Sequence, residues 1–258
     1  FLKSIPNAIP YKTSYYKKDW GFCLSYNDFK KLNKKKYNVV IDSKFKKGFM
    51  HYGELLIKGK SKKEILLKSY ICHPSMANNE LSGPGVLTFL TKYLLNLKSS
   101  YYSIRVVFLP ETIGTIAYIN KNIIDLKKNF HTGIVVTCVG KKSNFNYVKS
   151  INENSIINRV VEHYFRFKQK KSKVWSYLNR GSDERQYNSP NINLDVGSFS
   201  SAKFGKYREY HTSLDNLNCI NKNQLNISLA ALKEIVELIN INGIYKSTKF
   251  CEPFYTKY

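Results

Sequence analysis

The chain lacks the sequence signatures of several common protein classes. None of its five cysteines forms a Cys-x-x-Cys pair, so the sequence predicts neither a thiolate zinc site nor a disulfide framework. No apolar run approaches the roughly 20 residues needed to cross a bilayer, and the first residues do not resemble a signal peptide. Gly-x-Ser-x-Gly and glycine-rich phosphate loops are absent as well, which argues against a serine hydrolase or a nucleotide-binding protein. We therefore predict a cytoplasmic protein with no membrane span.

Acidic residues are scarce. The chain has 18 Asp and Glu against 42 Lys and Arg, a formal net charge of +24. Such a charge is typical of proteins that bind nucleic acid, anionic lipid or an acidic substrate. The lysines, however, are spread along the whole chain, arginine is scarce, and no nucleic-acid motif accompanies them. We therefore favour a lysine-rich surface with no specific nucleic-acid partner, and a nucleic-acid binder is the alternative that rests on charge alone.

The chain has 258 residues and 43% hydrophobic residues, enough for one large domain, with or without a small appendage. Residues 10–60 differ from the rest because they are rich in aromatic residues and lysine. They contain strand-like runs at 37–41 and 49–57 and no long helical pattern. These residues predict a small β-rich subdomain.

From about residue 62 onwards, apolar strands alternate with amphipathic helices. This pattern predicts an α/β fold with a mainly parallel or mixed sheet flanked by helices. The predicted strands are 65–72, 104–109, 132–139, 174–178 and 192–196, and the predicted helices are 86–97, 113–122, 157–165 and 225–239.

Four polar loops follow the predicted strands or precede the last helix, at 72–83, 110–114, 180–186 and 209–216. In a parallel sheet, functional residues lie beyond the carboxyl ends of the strands. His73, Asp183 and His211 can converge there on one Zn²⁺, which accepts imidazole nitrogen and carboxylate oxygen. Glu111 is placed to take a proton from a water that the metal activates.

Each of these residues also has a simpler interpretation. Glu111 can be a carboxylate favoured by a helix N-terminus, and Asp183 can be a cap or turn residue. We interpret the other three histidines as structural or solvated, and the spacing alone leaves the metal site open. Cys72 adjoins His73, but neighbours on a strand point to opposite faces, so we predict no Cys–His pair. The remaining histidines are His51, His131 and His163.

Taken together, the loops resemble those of the co-catalytic zinc aminopeptidases. They resemble more closely the aminopeptidase-like branch associated with bacterial polysaccharide biosynthesis, in which a small β domain is inserted into the catalytic domain. The resemblance implies an inserted subdomain at 10–60 and a zinc-peptidase-like α/β domain formed by 1–9 and 61–258, incomplete at its N-terminus. The matching stretches are 9–16, 20–25, 52–55, 72–84, 110–114, 181–184 and 210–216.

The resemblance also implies roles for single residues. His73 matches the first histidine ligand, Asp183 a carboxylate ligand and His211 the last histidine ligand. Glu111 matches the general base, although a shorter loop alignment would make it a metal ligand instead. Asn79 stands where the family has the aspartate that bridges two zinc ions.

Two departures from the family pattern bear on the metal count. Asn79 is neutral, although the adjacent Glu80 could replace the bridging carboxylate, and Thr112 stands where the second metal has its glutamate. Losing two carboxylates favours one Zn²⁺ over two. Glu80, Thr112, Glu184 and Asp215 are then expected to support the ligands or contact the substrate.

The implied function is a metal-dependent hydrolase of an amide bond, aminopeptidase-like, acting on a peptide or an N-acylated glycan. The alternative is a catalytically altered or inactive member that binds a glycan or peptide in surface-polysaccharide biosynthesis. The departures at Asn79 and Thr112 motivate this alternative. The 20 tyrosines could stack on sugars, but we favour ordinary core and surface roles for them.

Overall fold

The computed structural model describes residues 1–14, 17–73, 75–97, 99–248 and 251. In this part of the chain, seven strands form one mixed sheet with helices on both faces, which confirms the predicted α/β class. No helix of the described chain is long and apolar enough to cross a membrane. The strands are β1 Gly53–Ile57, β2 Ser61–Tyr70, β3 Tyr102–Leu109, β4 Phe130–Val136, β5 Asn146–Val148, β6 Lys173–Trp175 and β7 Val196–Ser200.

The strand order is β1-β3-β2-β4-β7-β5-β6. The four central strands β3, β2, β4 and β7 are parallel, whereas β1 pairs antiparallel with β3 at one edge. At the other edge β5 is antiparallel to β7 and parallel to β6. The carboxyl ends of the four central strands therefore meet at one edge of the sheet, where sites form in α/β proteins.

The helices cover the two faces of the sheet in separate groups. Because side chains alternate along a strand, Ile65 and Leu67 of β2 pack with α2, α4 and α6, while Leu66 packs with α3 and α5 on the opposite face. The sheet therefore lies between two helical layers. The helices are α1 Tyr26–Lys31, α2 Ser82–Leu95, α3 Ile113–Asn129, α4 Ile156–Lys168, α5 Glu184–Tyr187 and α6 Lys222–Ile241, preceded at α2 by a π-helical turn, Ala77–Leu81.

Some element boundaries differ from the sequence prediction. Helix α3 continues past 122 to Asn129, because Leu126 extends its buried stripe. The strand predicted at 192–196 begins only at Val196, because Asn191 and Asn193 adopt positive φ angles of 67° and 52° and form a turn. The strand predicted at 174–178 ends at Trp175 and gives way to a 3₁₀ turn, Tyr177–Asn179.

The described part of residues 10–52 contains helix α1 and one isolated bridge between Pro10 and Thr212, but no strand. The strand predicted at 37–41 is absent there, since its residues are exposed (Val40 is 91% exposed) and bury no face against a partner. The run at 49–57 is reduced to β1, which joins the main sheet. The division of the chain at residue 60 stays a prediction.

Gly83 provides a test of the packing between α2 and the sheet. A Cβ at this position would lie 2.4 Å from Ser69 Oγ and 2.6 Å from the Val136 carbonyl oxygen. We expect Gly83→Ala to lower the free energy of unfolding by about 1–3 kcal/mol through overpacking. Gly85→Ala is the matched control: its Cβ meets nothing within 4 Å, so it should raise stability by about 0.5–1 kcal/mol. Equal effects in urea unfolding would contradict the described packing.

Candidate functional site

The loop after β2 leads through the π-helical turn into α2, and Asp215 fixes this turn. The fully buried Asp215 carboxylate accepts hydrogen bonds from Asn78 N at 2.6 Å and Asn79 N at 3.0 Å. Tyr207 Oη donates to the same carboxylate at 2.9 Å. Asp215 therefore joins the loop that carries His73 to the loop that carries His211.

His73 is buried and oriented by a carboxylate. Its Nδ1 lies 3.1 Å from Glu80 Oε2 and 3.1 Å from Cys72 Sγ, while its Nε2 lies 3.6 Å from Glu111 Oε2. Burial alone would lower the pKa of His73, but its bonds to Cys72 and Glu80 and the charge of Glu111 raise it to about 10. A carboxylate on one ring nitrogen is how metal-binding histidines are commonly oriented. Glu80 thus supports His73 and leaves Nε2 facing Glu111.

His211 and Asn79 present hydrogen-bond acceptors that no described residue satisfies. The rings of His211 and His73 have centroids 5.0 Å apart. His211 Nε2 and Asn79 Oδ1 are buried and lack a hydrogen-bond partner in the described chain. Burial, the charge of His73 and that of Lys12 lower the pKa of His211 to about 4, so its imidazole is neutral. Buried polar atoms without a protein partner are candidate contacts for a bound ligand or ion.

Glu111 faces the same space. Its Oε1 accepts a hydrogen bond from Ser182 Oγ at 2.7 Å. Cys72, His73 and Glu111 together place a sulfur, a nitrogen and a carboxylate oxygen within 4.8 Å of one another. The prediction that Cys72 and His73 form no pair is wrong, since Cys72 Sγ lies 3.1 Å from His73 Nδ1. Strand β2 ends at Tyr70, so strand alternation does not apply to residues 71–73.

Asp183 pairs with a lysine that the sequence analysis missed. Asp183 Oδ2 forms an ion pair with Lys68 Nζ, both side chains being fully buried, and Asp183 Oδ1 accepts from Thr112 N at 2.7 Å. Burial lowers the pKa of Lys68, and nearby acidic groups, foremost Glu111, oppose this. A lysine in a buried strand requires a carboxylate partner. The position of Lys68 in an apolar strand is therefore the sequence feature that could have predicted a buried ion pair. The role of Asp183 as a metal ligand stays a prediction.

The loop of Asp183 was predicted to follow the carboxyl end of a parallel strand. This prediction is wrong, because the preceding strand β6 is antiparallel to the central strands. The turn before α5 is shaped instead by Glu184. Its fully buried Oε1 accepts from Gly181 N at 2.7 Å and Ser182 N at 3.1 Å, and burial raises its pKa. Glu184 therefore holds residues 181–183 in place.

Thr112 links the pocket to a cation at its entrance. Its backbone has a φ of 60°, which is unusual for a β-branched residue and marks local strain. Its Oγ1 accepts a hydrogen bond from Arg185 Nη2 at 3.1 Å. A cavity of about 400 Å³ opens here and is lined by residues from all four predicted loops and from the N-terminal segment: Tyr11, Lys12, Thr13, His73, Glu111, Thr112, Ile113, Arg185 and His211.

Comparison with known proteins assigns the chain to a family. The family model described as "Domain of unknown function (DUF4910)" matches residues 4–242. The chain belongs to the DUF4910 family. A Clostridium acetobutylicum protein, named for polysaccharide biosynthesis and an aminopeptidase-like domain, is 42% identical over 257 residues, which are 98% of this chain and 58% of that protein. The present DUF4910 chain thus spans little more than half of this relative, and the resemblance to the aminopeptidase-like branch is confirmed.

Solved structures agree on the fold of this DUF4910 chain. A crystal structure of a candidate peptidase from Clostridium acetobutylicum superposes with a TM-score of 0.93 at 41% identity, covering 99% of this chain and 60% of that one. A zinc aminopeptidase from Bacillus subtilis superposes with a TM-score of 0.59 at 15% identity, covering 72% of this chain and 48% of that one. The second comparison shows a shared fold only. The chemistry must be argued from the residues of the site.

Lys68→Met tests the buried ion pair of this DUF4910 chain. Removing one partner leaves Asp183 charged and uncompensated, so the free energy of unfolding should fall by about 3–5 kcal/mol. The double variant Lys68→Met/Asp183→Asn should recover most of this loss, because the amide oxygen still accepts from Thr112 N. Lys31→Met removes one partner of an exposed ion pair with Asp28 and should leave stability nearly unchanged. A double variant less stable than Lys68→Met in chemical denaturation would contradict the pairing.

Proposed function

We propose that the cavity of His73 and His211 hydrolyses an amide bond with the help of one metal ion. The observation that carries the proposal is the convergence of His73, His211 and Glu111 on one cavity, where His211 Nε2 is buried and unsatisfied. The names of the relatives support it, since one carries an aminopeptidase-like domain and another is a zinc aminopeptidase. The substrate would be a peptide or an N-acylated glycan, and the location cytoplasmic.

The residues fit one zinc ion better than two. His211 Nε2, Asn79 Oδ1 and His73 Nε2 would hold it, with binding of the ion displacing the proton that His73 retains in the metal-free site. Asp183 remains a further predicted ligand. Lys68 already supplies a positive charge to Asp183, and Asn79 contributes none of the negative charge that a second ion would need. When bound, zinc would polarise the amide carbonyl and make water a stronger nucleophile at neutral pH.

Glu111 would move the proton. Its Oε2 faces His73, while Ser182 holds Oε1, so one oxygen is free to accept a proton from the attacking water. The remaining hydroxide bonds to the carbonyl carbon, the carbon–nitrogen bond breaks, and Glu111 returns the proton to the leaving amine. Glu80 keeps His73 in the orientation that this step requires.

The second candidate is a protein that binds a glycan or peptide without turning it over. The buried ion pair of Lys68 and Asp183 favours it, because it consumes a carboxylate that a hydrolytic metal site would use. The name of the relative, which includes polysaccharide biosynthesis, is compatible with such a role. The two candidates differ in metal content and in turnover.

Metal content per chain separates these candidates. We expect one zinc per wild-type chain by mass spectrometry and none in His73→Ala/His211→Ala, because both imidazoles hold the ion. His131→Ala/His163→Ala is the control, since both histidines lie outside the cavity. Two ions per chain would favour bridging by Asn79 or Glu80. No ion after zinc is supplied would contradict the hydrolase and favour the binding protein.

Glu111→Gln tests the proton transfer. The amide keeps the size of the side chain but cannot accept the proton, so turnover should fall at least about 100-fold while the zinc content stays unchanged. Glu162→Gln on α4 removes the same charge outside the cavity and should keep wild-type turnover. Equal turnover by Glu111→Gln and wild type would exclude Glu111 as the base.

A further inference from the structure

The carboxylates around the cavity are already engaged, with one exception. Asp183 pairs with Lys68, and Glu80 bonds to His73. Glu184 accepts from two backbone N–H groups. None of these three carboxylates lines the cavity in the described chain, so none of them is placed to bind a positively charged substrate.

Glu111 is the exception, and it lies at the reacting end of the cavity. It is the one carboxylate in the described lining, and its oxygens are directed at Ser182 and His73. A substrate ammonium bound to Glu111 would occupy the group that takes the proton. A compound with a free amine beside the scissile amide would therefore enter a cavity that offers no other counter-charge.

Two cations line the same cavity. Neither Lys12 nor Arg185 has a carboxylate within 4.0 Å in the described chain, since both are absent from its ion pairs. The cavity is therefore electrostatically suited to an anion.

Thr112 holds Arg185 at this entrance. Thr112 N donates to the buried Asp183 and Thr112 Oγ1 accepts from Arg185 Nη2, so the guanidinium is tethered to the Lys68–Asp183 pair. A guanidinium has five N–H donors in a planar fork, and this contact uses one of them. The others can form the paired hydrogen bonds by which arginine binds a carboxylate.

We propose that the cavity accepts an N-acylated compound that carries a carboxylate, and that Arg185 binds this carboxylate. The inference rests on the proposed function for the position of the amide, whereas the carboxylate preference is a property of binding. It distinguishes the chain from an enzyme that acts on free amino termini. Lys12 strengthens the attraction at low ionic strength.

The test uses three probes with one skeleton: N-acetylglycine, N-acetylglycinamide and glycinamide, which are anionic, neutral and cationic. Their affinities are measured by calorimetry with the protein as isolated and again after zinc is supplied. Wild type should bind N-acetylglycine about tenfold or more tightly than N-acetylglycinamide, the range of one charge-assisted contact. Arg185→Gln should lose this preference and retain its affinity for N-acetylglycinamide.

Arg180→Gln is the matched control, because Arg180 stacks on Tyr177 outside the cavity and its loss changes the net charge equally. It should keep the wild-type preference. A preference that survives in Arg185→Gln, or tighter binding of glycinamide than of N-acetylglycine, would overturn the proposal. If the preference holds while wild type shows no turnover, the hydrolase fails and the binding inference stands. If wild type turns over free-amine substrates but shows no preference for N-acetylglycine, the hydrolase proposal stands and the carboxylate-binding inference fails.

Discussion

The buried ion pair between Lys68 and Asp183 is the constraint on which the site depends. Lys68 projects from a central strand, and Asp183 belongs to a loop that no central strand delivers. Two opposite charges are tolerated in the interior when they pair closely and further hydrogen bonds engage the remaining lone pairs and N–H groups. Thr112 N supplies that further bond to Asp183. The pair therefore ties β2, the turn before α5 and the start of α3 into one unit.

The same pair sets the charge of the cavity. Lys68 is a cation that the chain itself provides, so Asp183 is neutralised without a bound ion. His211 Nε2 and Asn79 Oδ1 remain buried without a hydrogen-bond partner in the described chain, and an imidazole nitrogen is a common zinc ligand. A second ion would face an excess of positive charge. The proposal of one metal rather than two thus rests on electrostatics as well as on the two neutral residues, Asn79 and Thr112.

Patterns that depend on burial could be predicted from the sequence, whereas contacts across the sheet could not. The apolar strands and the helices α2, α4 and α6 follow from periodicity, because each buries one face or both. The convergence of His73, Glu111 and His211 followed from loop order and resemblance. The partner of Lys68 depends on where the chain returns after an antiparallel strand, and no local pattern encodes that path. Residues 37–41 were predicted to form a strand that the described chain lacks, because their strand-like pattern has no buried face.

The fold and the chemistry are therefore separable in this chain. A zinc aminopeptidase at 15% identity shares the architecture, and the architecture explains why the polar loops meet at one edge of the sheet. What the edge can bind is decided by a few substitutable side chains: Lys68 neutralises a carboxylate, Asn79 offers an uncharged oxygen, and Arg185 adds a cation at the entrance. All three side chains leave the cavity with less negative charge than carboxylates would provide. The proposed preference for an acid over an ammonium group follows from this charge and would hold whether or not the site catalyses hydrolysis.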